Sequence, residues 1–219
     1  MSITDQFRKP VLLLCFSAAC SAFVSNAQAG AQANVALSAS VRAILQRAVS
    51  DQGAPKLAFA SQQEAQFWLS EMSDRLKYKM PNEAERREFL STVHYEAKRA
   101  GLDPHLVLSL IEVESNFNKY ALSRVGARGY MQVMPFWVKS IGKSEQNLFH
   151  LRINLRYGCT ILRYYLDMER GDLYRALGRY NGSLGQATYP NLVKTAWHKH
   201  WTAPVITRTK LKLSSTTSG

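Results

Sequence analysis

From Ser61 onward the apolar residues of this chain recur at helical spacing, and no stretch alternates convincingly as a strand. Ser61-Gln62-Gln63-Glu64 reads as a capping box that opens a helix carrying Phe67, Trp68, Met72 and Leu76. A second start follows Pro81, at Asn82 to Glu85, and predicts a helix that turns Phe89, Leu90 and Val93 inward and stops at Gly101. Asp103-Pro104 opens a third, since Asp is a favoured cap and proline loses nothing at the first helical position. In that helix Val107, Leu110, Ile111 and Glu114 fall on one face. Glu112 sits about 200° round from Glu114, at about 100° per residue, and is expected to face outward. Further helices are predicted at 151–169, at 172–180 with Asp172 as cap, and at 190–200 after Pro190. The chain has no internal repeats, and the pattern predicts a mainly α-helical fold.

The two ends read differently. Arg8 and Lys9 precede a small, apolar run from Val11 to Val24, and Ala27-Gln28-Ala29 follows with the small-x-small pattern of a signal-peptidase site. Residues 1–29 are therefore expected to be a secretory signal peptide, cut after Ala29. The run is short for a membrane span, which needs about 20 apolar residues; an uncleaved anchor is the alternative. Cys20 lacks the leucine three residues earlier that a lipoprotein site would use. Residues 30–60 read as a linker or loosely packed leader, with a short helix from Val41 to Val49 broken by Gly53-Ala54-Pro55. Residues 61–86 read as a helical extension ahead of the main domain, and 202–219 as a frayed basic tail.

Composition narrows the class. A hydrophobic content of 46% can fill a core but is too low for a multi-span membrane protein. The formal charge of +12, from 28 basic and 16 acidic residues, favours a polyanionic partner without choosing among nucleic acid, lipid and wall polymer. Once the signal is removed, Cys159 is the only cysteine, so the domain holds without an internal disulfide.

The residue that needs explaining is Glu114. Burying a carboxyl disfavours its charged form and raises its pKa, and a carboxyl kept protonated near neutral pH is what a general acid requires. A glutamate that bonds a nearby amide or pairs with an arginine is the bland alternative. Its surroundings bear on the choice. Glu114-Ser115-x-Phe117 is followed by Ser123-x-x-Gly126-Ala127-x-Gly129-Tyr130-Met131-Gln132-Val133-Met134-Pro135. Asn154-Leu155-x-x-Gly158 and Ala176-Leu177-x-x-Tyr180-Asn181-Gly182 come after it in order. This ordered set resembles the lytic transglycosylase domain of the soluble type, related to goose-type lysozymes, over roughly residues 87–201.

The resemblance implies a lysozyme-like helical domain with extra N-terminal helices and a cleft for peptidoglycan strands. It implies Glu114 as the catalytic acid/base. It also implies substrate contacts from Ser123 (near an acetamido group), from Gly129, Met131 and Gln132, and from Tyr180 and Asn181, with Tyr180 close to the acid. Read physically, Gln132 offers a donor and an acceptor to a sugar or to buried backbone. Met131 is sugar platform or core filler, and Tyr180 is an orienting partner of the acid or an ordinary buried aromatic. Asn154 reads as a structural polar contact. Arg124, Tyr130 and Ser183 depart from the family pattern without removing a group the chemistry needs.

Ordinary glycosidases use two carboxyl groups. Here Glu145, Asp167, Glu169 and Asp172 lie at caps or on solvated faces by pattern, so a single-acid reaction is expected. It would leave a 1,6-anhydromuramic end and need no metal or organic cofactor. Hydrolysis by the same glutamate, as in a lysozyme-type muramidase, is the near alternative; a non-catalytic wall-binding protein is the distant one. The export signal and the lack of a nucleic-acid motif argue against nucleic acid as partner. Wall polymer or membrane contact through the basic tail is a further expectation, with a periplasmic location. His198-x-His200 diverge on a helix and make no convincing metal site.

Overall fold

A computed structural model of the chain describes residues 32, 34, 36–50, 53 and 57–202. Residues 1–29, expected to be a signal peptide, and the tail beyond Thr202 lie outside the described residues. Among those described, the fold is helical throughout: α1 (Ala39–Ser50), α2 (Gln62–Leu76), α3 (Glu83–Arg99), α4 (Pro104–Ser115), α5 (Pro135–Ile141), α6 (Leu151–Met168), α7 (Leu173–Asn181) and α8 (Thr188–His200). The only extended pairing among them is two isolated antiparallel bridges, Leu122 with Arg128 and Arg128 with Val133, in the loop between α4 and α5. None of these helices is long and apolar enough to cross a membrane.

The predicted starts hold where a side chain caps the first turn. The Ser61 hydroxyl accepts from Glu64 N–H at 3.2 Å, Asn82 Oδ1 from Glu85 N–H at 3.0 Å, and Asp103 Oδ1 from His105 N–H at 2.8 Å. Each satisfies one of the amides that a helix start leaves orphaned. Two elements differ from expectation. The short helix α5 is absent from the sequence-based pattern; Pro135 stands in its first turn, and it buries Trp137, Val138 and Ile141. Helix α8 begins at Thr188, before Pro190 rather than at it. Pro190 is tolerated because the first four helical amides lack an intrahelical partner anyway.

Helix α4 is the axis of the molecule, packed mainly against α8 and also against α3. Leu106, Val107, Leu108, Leu110 and Ile111 are all buried, so the helix is enclosed on nearly every side rather than along the one predicted stripe. A helix hydrophobic all round belongs at the centre of a core. Residues 39–50 are docked rather than loose. Leu45 and Val49 are buried, α1 packs on α5 and α6, and Arg99 Nη1 donates to Ala48 O at 2.8 Å. Helix α2 shares the same core, with Met72 and Leu76 fully buried.

Glu112 does not stand free in solvent. It is half-buried and takes His200 Nδ1 at 2.9 Å and Trp201 Nε1–H at 2.5 Å, while Arg75 donates to the carbonyls of His200 and Thr202. These bonds fasten the end of α8 to α2 and α4.

Candidate active site

Glu114 lies in the last turn of α4, one residue before its end. The chain turns sharply there. Asn116 and Phe117 both adopt positive φ, at 48° and 64°, and Ser115 Oγ donates to Tyr130 O at 2.7 Å. That bond ties the end of the helix to the loop that carries Gly129, Met131 and Gln132.

Glu114 is 6% exposed. Tyr189, from the first turn of α8, donates its hydroxyl proton to Oε1 at 2.5 Å. Oε2 is buried and has no hydrogen-bond partner. Burial pushes the carboxyl up to about 8, with the Tyr189 bond pulling the other way. The acid is therefore mostly protonated at neutral pH. Because Tyr189 donates to Oε1, that oxygen is the acceptor and the acid proton sits on Oε2. Among the described residues, burial and Tyr189 are the influences on Glu114, and no second carboxylate is one of them. Glu145, Asp167 and Asp172 are engaged elsewhere, with Ser144, with Arg163 and as the cap of α7, and Glu169 pairs with Arg175 and Arg179.

The loop is held by Asn154. Its Oδ1 accepts the Met131 N–H at 2.8 Å, and its Nδ2 donates to the carbonyls of Arg128 and Leu148, both at 2.8 Å. All of these bonds go to backbone, which fixes the loop against α6. Gly129 has φ +73°, and a Cβ there would meet Asn154 Nδ2 at 2.5 Å and Leu148 O at 2.6 Å. Only glycine satisfies both the backbone angle and the space. Tyr130, one of the departures from the family pattern, is absorbed by the core against Phe89, with ring centroids 4.8 Å apart.

The expected substrate contacts sort unevenly. Gln132 is 1% exposed and donates through Nε2 to Gly129 O and Ala121 O, which braces the loop. Met131 is fully buried. Tyr180 is also fully buried, and its hydroxyl donates to Met131 O at 2.8 Å. It lies near enough for the Glu114 charge to help raise its pKa, with burial the larger cause. The direct partner of the acid is Tyr189, not Tyr180. Ser123 Oγ accepts from Ala127 N–H at 3.0 Å in a turn of the same loop, and Asn181 is buried at the end of α7. The buried residues Gly129, Met131, Gln132 and Tyr180 thus surround the end of α4 that carries the buried carboxyl of Glu114.

Tyr189 escapes the sequence reading because placing the helix start at Pro190 leaves it in a loop. Tyr189, Val193 and Ala196 are spaced by four and three and are all buried. That period would have drawn α8 forward and put Tyr189 on its inner face. Among the described residues no group of three His, Cys, Asp or Glu side chains is placed to hold a metal ion.

Residues 91–196 match the family described as "Transglycosylase SLT domain". Among curated relatives, a "Transglycosylase" of Enterobacteria phage PRD1 is 35% identical over 102 residues, covering 47% of this chain and 37% of the phage protein. A "Membrane-bound lytic murein transglycosylase C" of Edwardsiella ictaluri is 32% identical over 124 residues, covering 48% of this chain and 34% of that protein. One of the same description from Actinobacillus pleuropneumoniae serotype 5b is 49% identical over 53 residues, covering 24% and 14%. The chain thus spans little more than a third of the length of these relatives at most, 37% and 34% for the two longer matches.

Proposed function

We propose, from the premise that residues 91–196 are a transglycosylase SLT domain, that this chain is a lytic transglycosylase of peptidoglycan with Glu114 as its single acid/base. The observation that carries the reading is a carboxyl that keeps its proton near neutral pH, with one hydroxyl partner and no second carboxylate acting on it among the described residues. A hydrolase of the ordinary two-carboxylate kind needs a base or nucleophile opposite the acid.

The reaction then runs on one group. Glu114 Oε2–H protonates the oxygen of the β-1,4 bond between N-acetylmuramic acid and N-acetylglucosamine. The bond from C1 to that oxygen breaks and the glucosamine side leaves as an alcohol. The substrate's own acetamido group shares the positive charge left at C1. Glu114, now a carboxylate steadied by the Tyr189 hydroxyl, takes the proton from the muramic C6 hydroxyl. The C6 oxygen closes on C1, giving a 1,6-anhydro end, and the acid is restored. No water is consumed.

Export, a periplasmic location and a polyanionic wall partner are consistent with the N-terminal pattern and the charge of +12. Mass spectrometry of fragments released from purified wall material tests the reaction type. Products one water lighter than the hydrolytic fragments, with anhydro ends, are expected; reducing ends would assign lysozyme-type hydrolysis instead.

A further inference from the structure

Glu114 lies between two residues that one side chain holds. Trp201, which closes α8, is 3% exposed. Its Nε1–H donates at 2.5 Å to Glu112 Oε2, on the residue two before the acid. Its ring lies against that of Phe117, three residues after the acid, with centroids 5.4 Å apart. Phe117 is buried and also meets Phe89 of α3, edge-on at 6.0 Å. Trp201 is itself anchored. Its backbone N–H reaches Ala196 O and Trp197 O, both at 3.2 Å. Arg75 of α2 donates to the carbonyls on either side of it, those of His200 and Thr202, each at 2.9 Å.

The turn between the two held residues needs holding. A left-handed Asn116 is a common end for a helix, whereas a bulky aromatic at φ 64° is not. Such a backbone persists only where its surroundings over-determine it. The hold works by position and not by charge, because among the described residues Glu112 is not one of the influences on the Glu114 carboxyl. Arg75, Phe89, His200 and Trp201 all lie outside residues 91–196, so the helices ahead of the matched domain and the end of α8 supply this support. We infer that Trp201 is a positioning residue for Glu114: by gripping Glu112 and Phe117 on either side of the acid, it keeps the last turn of α4 closed and the carboxyl packed against Tyr189. Arg75 gives α2 a part in the same hold. That the carboxyl so placed is catalytic rests on the proposed function; the hold itself rests on the contacts of Trp201.

Loosening the hold lets water reach the carboxyl, which lowers its pKa from about 8 toward the ordinary carboxylate range. Tyr189 and Tyr180, the titratable groups beside it, are buried with raised pKa values and stay neutral there. Trp201→Ala in the full chain should therefore lower kcat on wall material about tenfold, since a small misplacement of a reacting group is costly. It should also move the alkaline limb of the pH–rate profile to lower pH. Trp201→Phe, which keeps a ring on Phe117, should recover part of both. Should Trp201→Ala fail to fold, Glu112→Ala removes the same grip; Glu112→Gln, whose Oε1 still accepts the indole N–H, should restore the profile. A lower kcat with an unmoved limb is what a merely structural role produces and would overturn the proposal, as would an unchanged kcat. The midpoint of the Glu114 carbonyl band in the infrared, read without substrate, should fall in Trp201→Ala as well. An unmoved midpoint would overturn the hold. A midpoint that falls while the wild-type chain releases no wall fragments would keep the hold and sink the proposed function.

Discussion

Replacing Glu114 by Gln should cut wall-fragment release by about 10³-fold or more while leaving the fold in place. Glutamine keeps the volume of the side chain and loses only the transferable proton. The same variant carries a stability signature. An ordinary glutamate titrates near 4.5, whereas folding raises Glu114 to about 8. The folded state thus holds a proton that the unfolded chain gives up between those values. The stability it contributes is full below about 4.5, falls through the window, and is lost as pH passes 8. The slope approaches about 1.4 kcal/mol per pH unit. An amide has no charge to bury, so Glu114→Gln should melt at about the wild-type temperature at a pH of about 4 and several degrees higher at about 8. Thermal scans at the two values check this. A catalytically dead variant with no pH-dependent gain would mean that the acid is not buried as described.

The second large effect is expected at Tyr189. Its hydroxyl holds Oε1 at 2.5 Å and pulls the Glu114 pKa down against burial. Tyr189→Phe should lower kcat by roughly a hundredfold, in the range of losing one donor to a charge that develops during reaction. KM should change little, because the hydroxyl is engaged by the acid. Without that bond the carboxyl holds its proton more tightly, so the alkaline limb of the pH–rate profile should move to higher pH. A purely structural tyrosine would reduce active protein without moving that limb.

Most of the fold was legible because local rules and tertiary packing agree in it. Ser61, Asn82 and Asp103 each cap the helix that their sequence context predicts. Phe89, Leu90 and Val93 face the core as their spacing requires. What was not legible depends on partners far along the chain. The burial of Glu114 follows from its helix face, but its partner sits 75 residues later on α8. Gln132 and Tyr180 carry groups that suit a sugar equally well, and only the positions of Gly129 O and Met131 O show that the Gln132 Nε2 and the Tyr180 hydroxyl donate to backbone. Asn154 reads as structural from its chemistry, and its three bonds to backbone are what make the Gly129–Val133 loop a fixed wall.

An infrared difference titration of wild type against Glu114→Gln reads the carboxyl itself. A protonated C=O band from Glu114 should persist at neutral pH and fade with a midpoint of about 8. A band already gone at a pH of about 6, two units below that midpoint, with the carboxylate signal in its place, would contradict a buried, proton-holding acid.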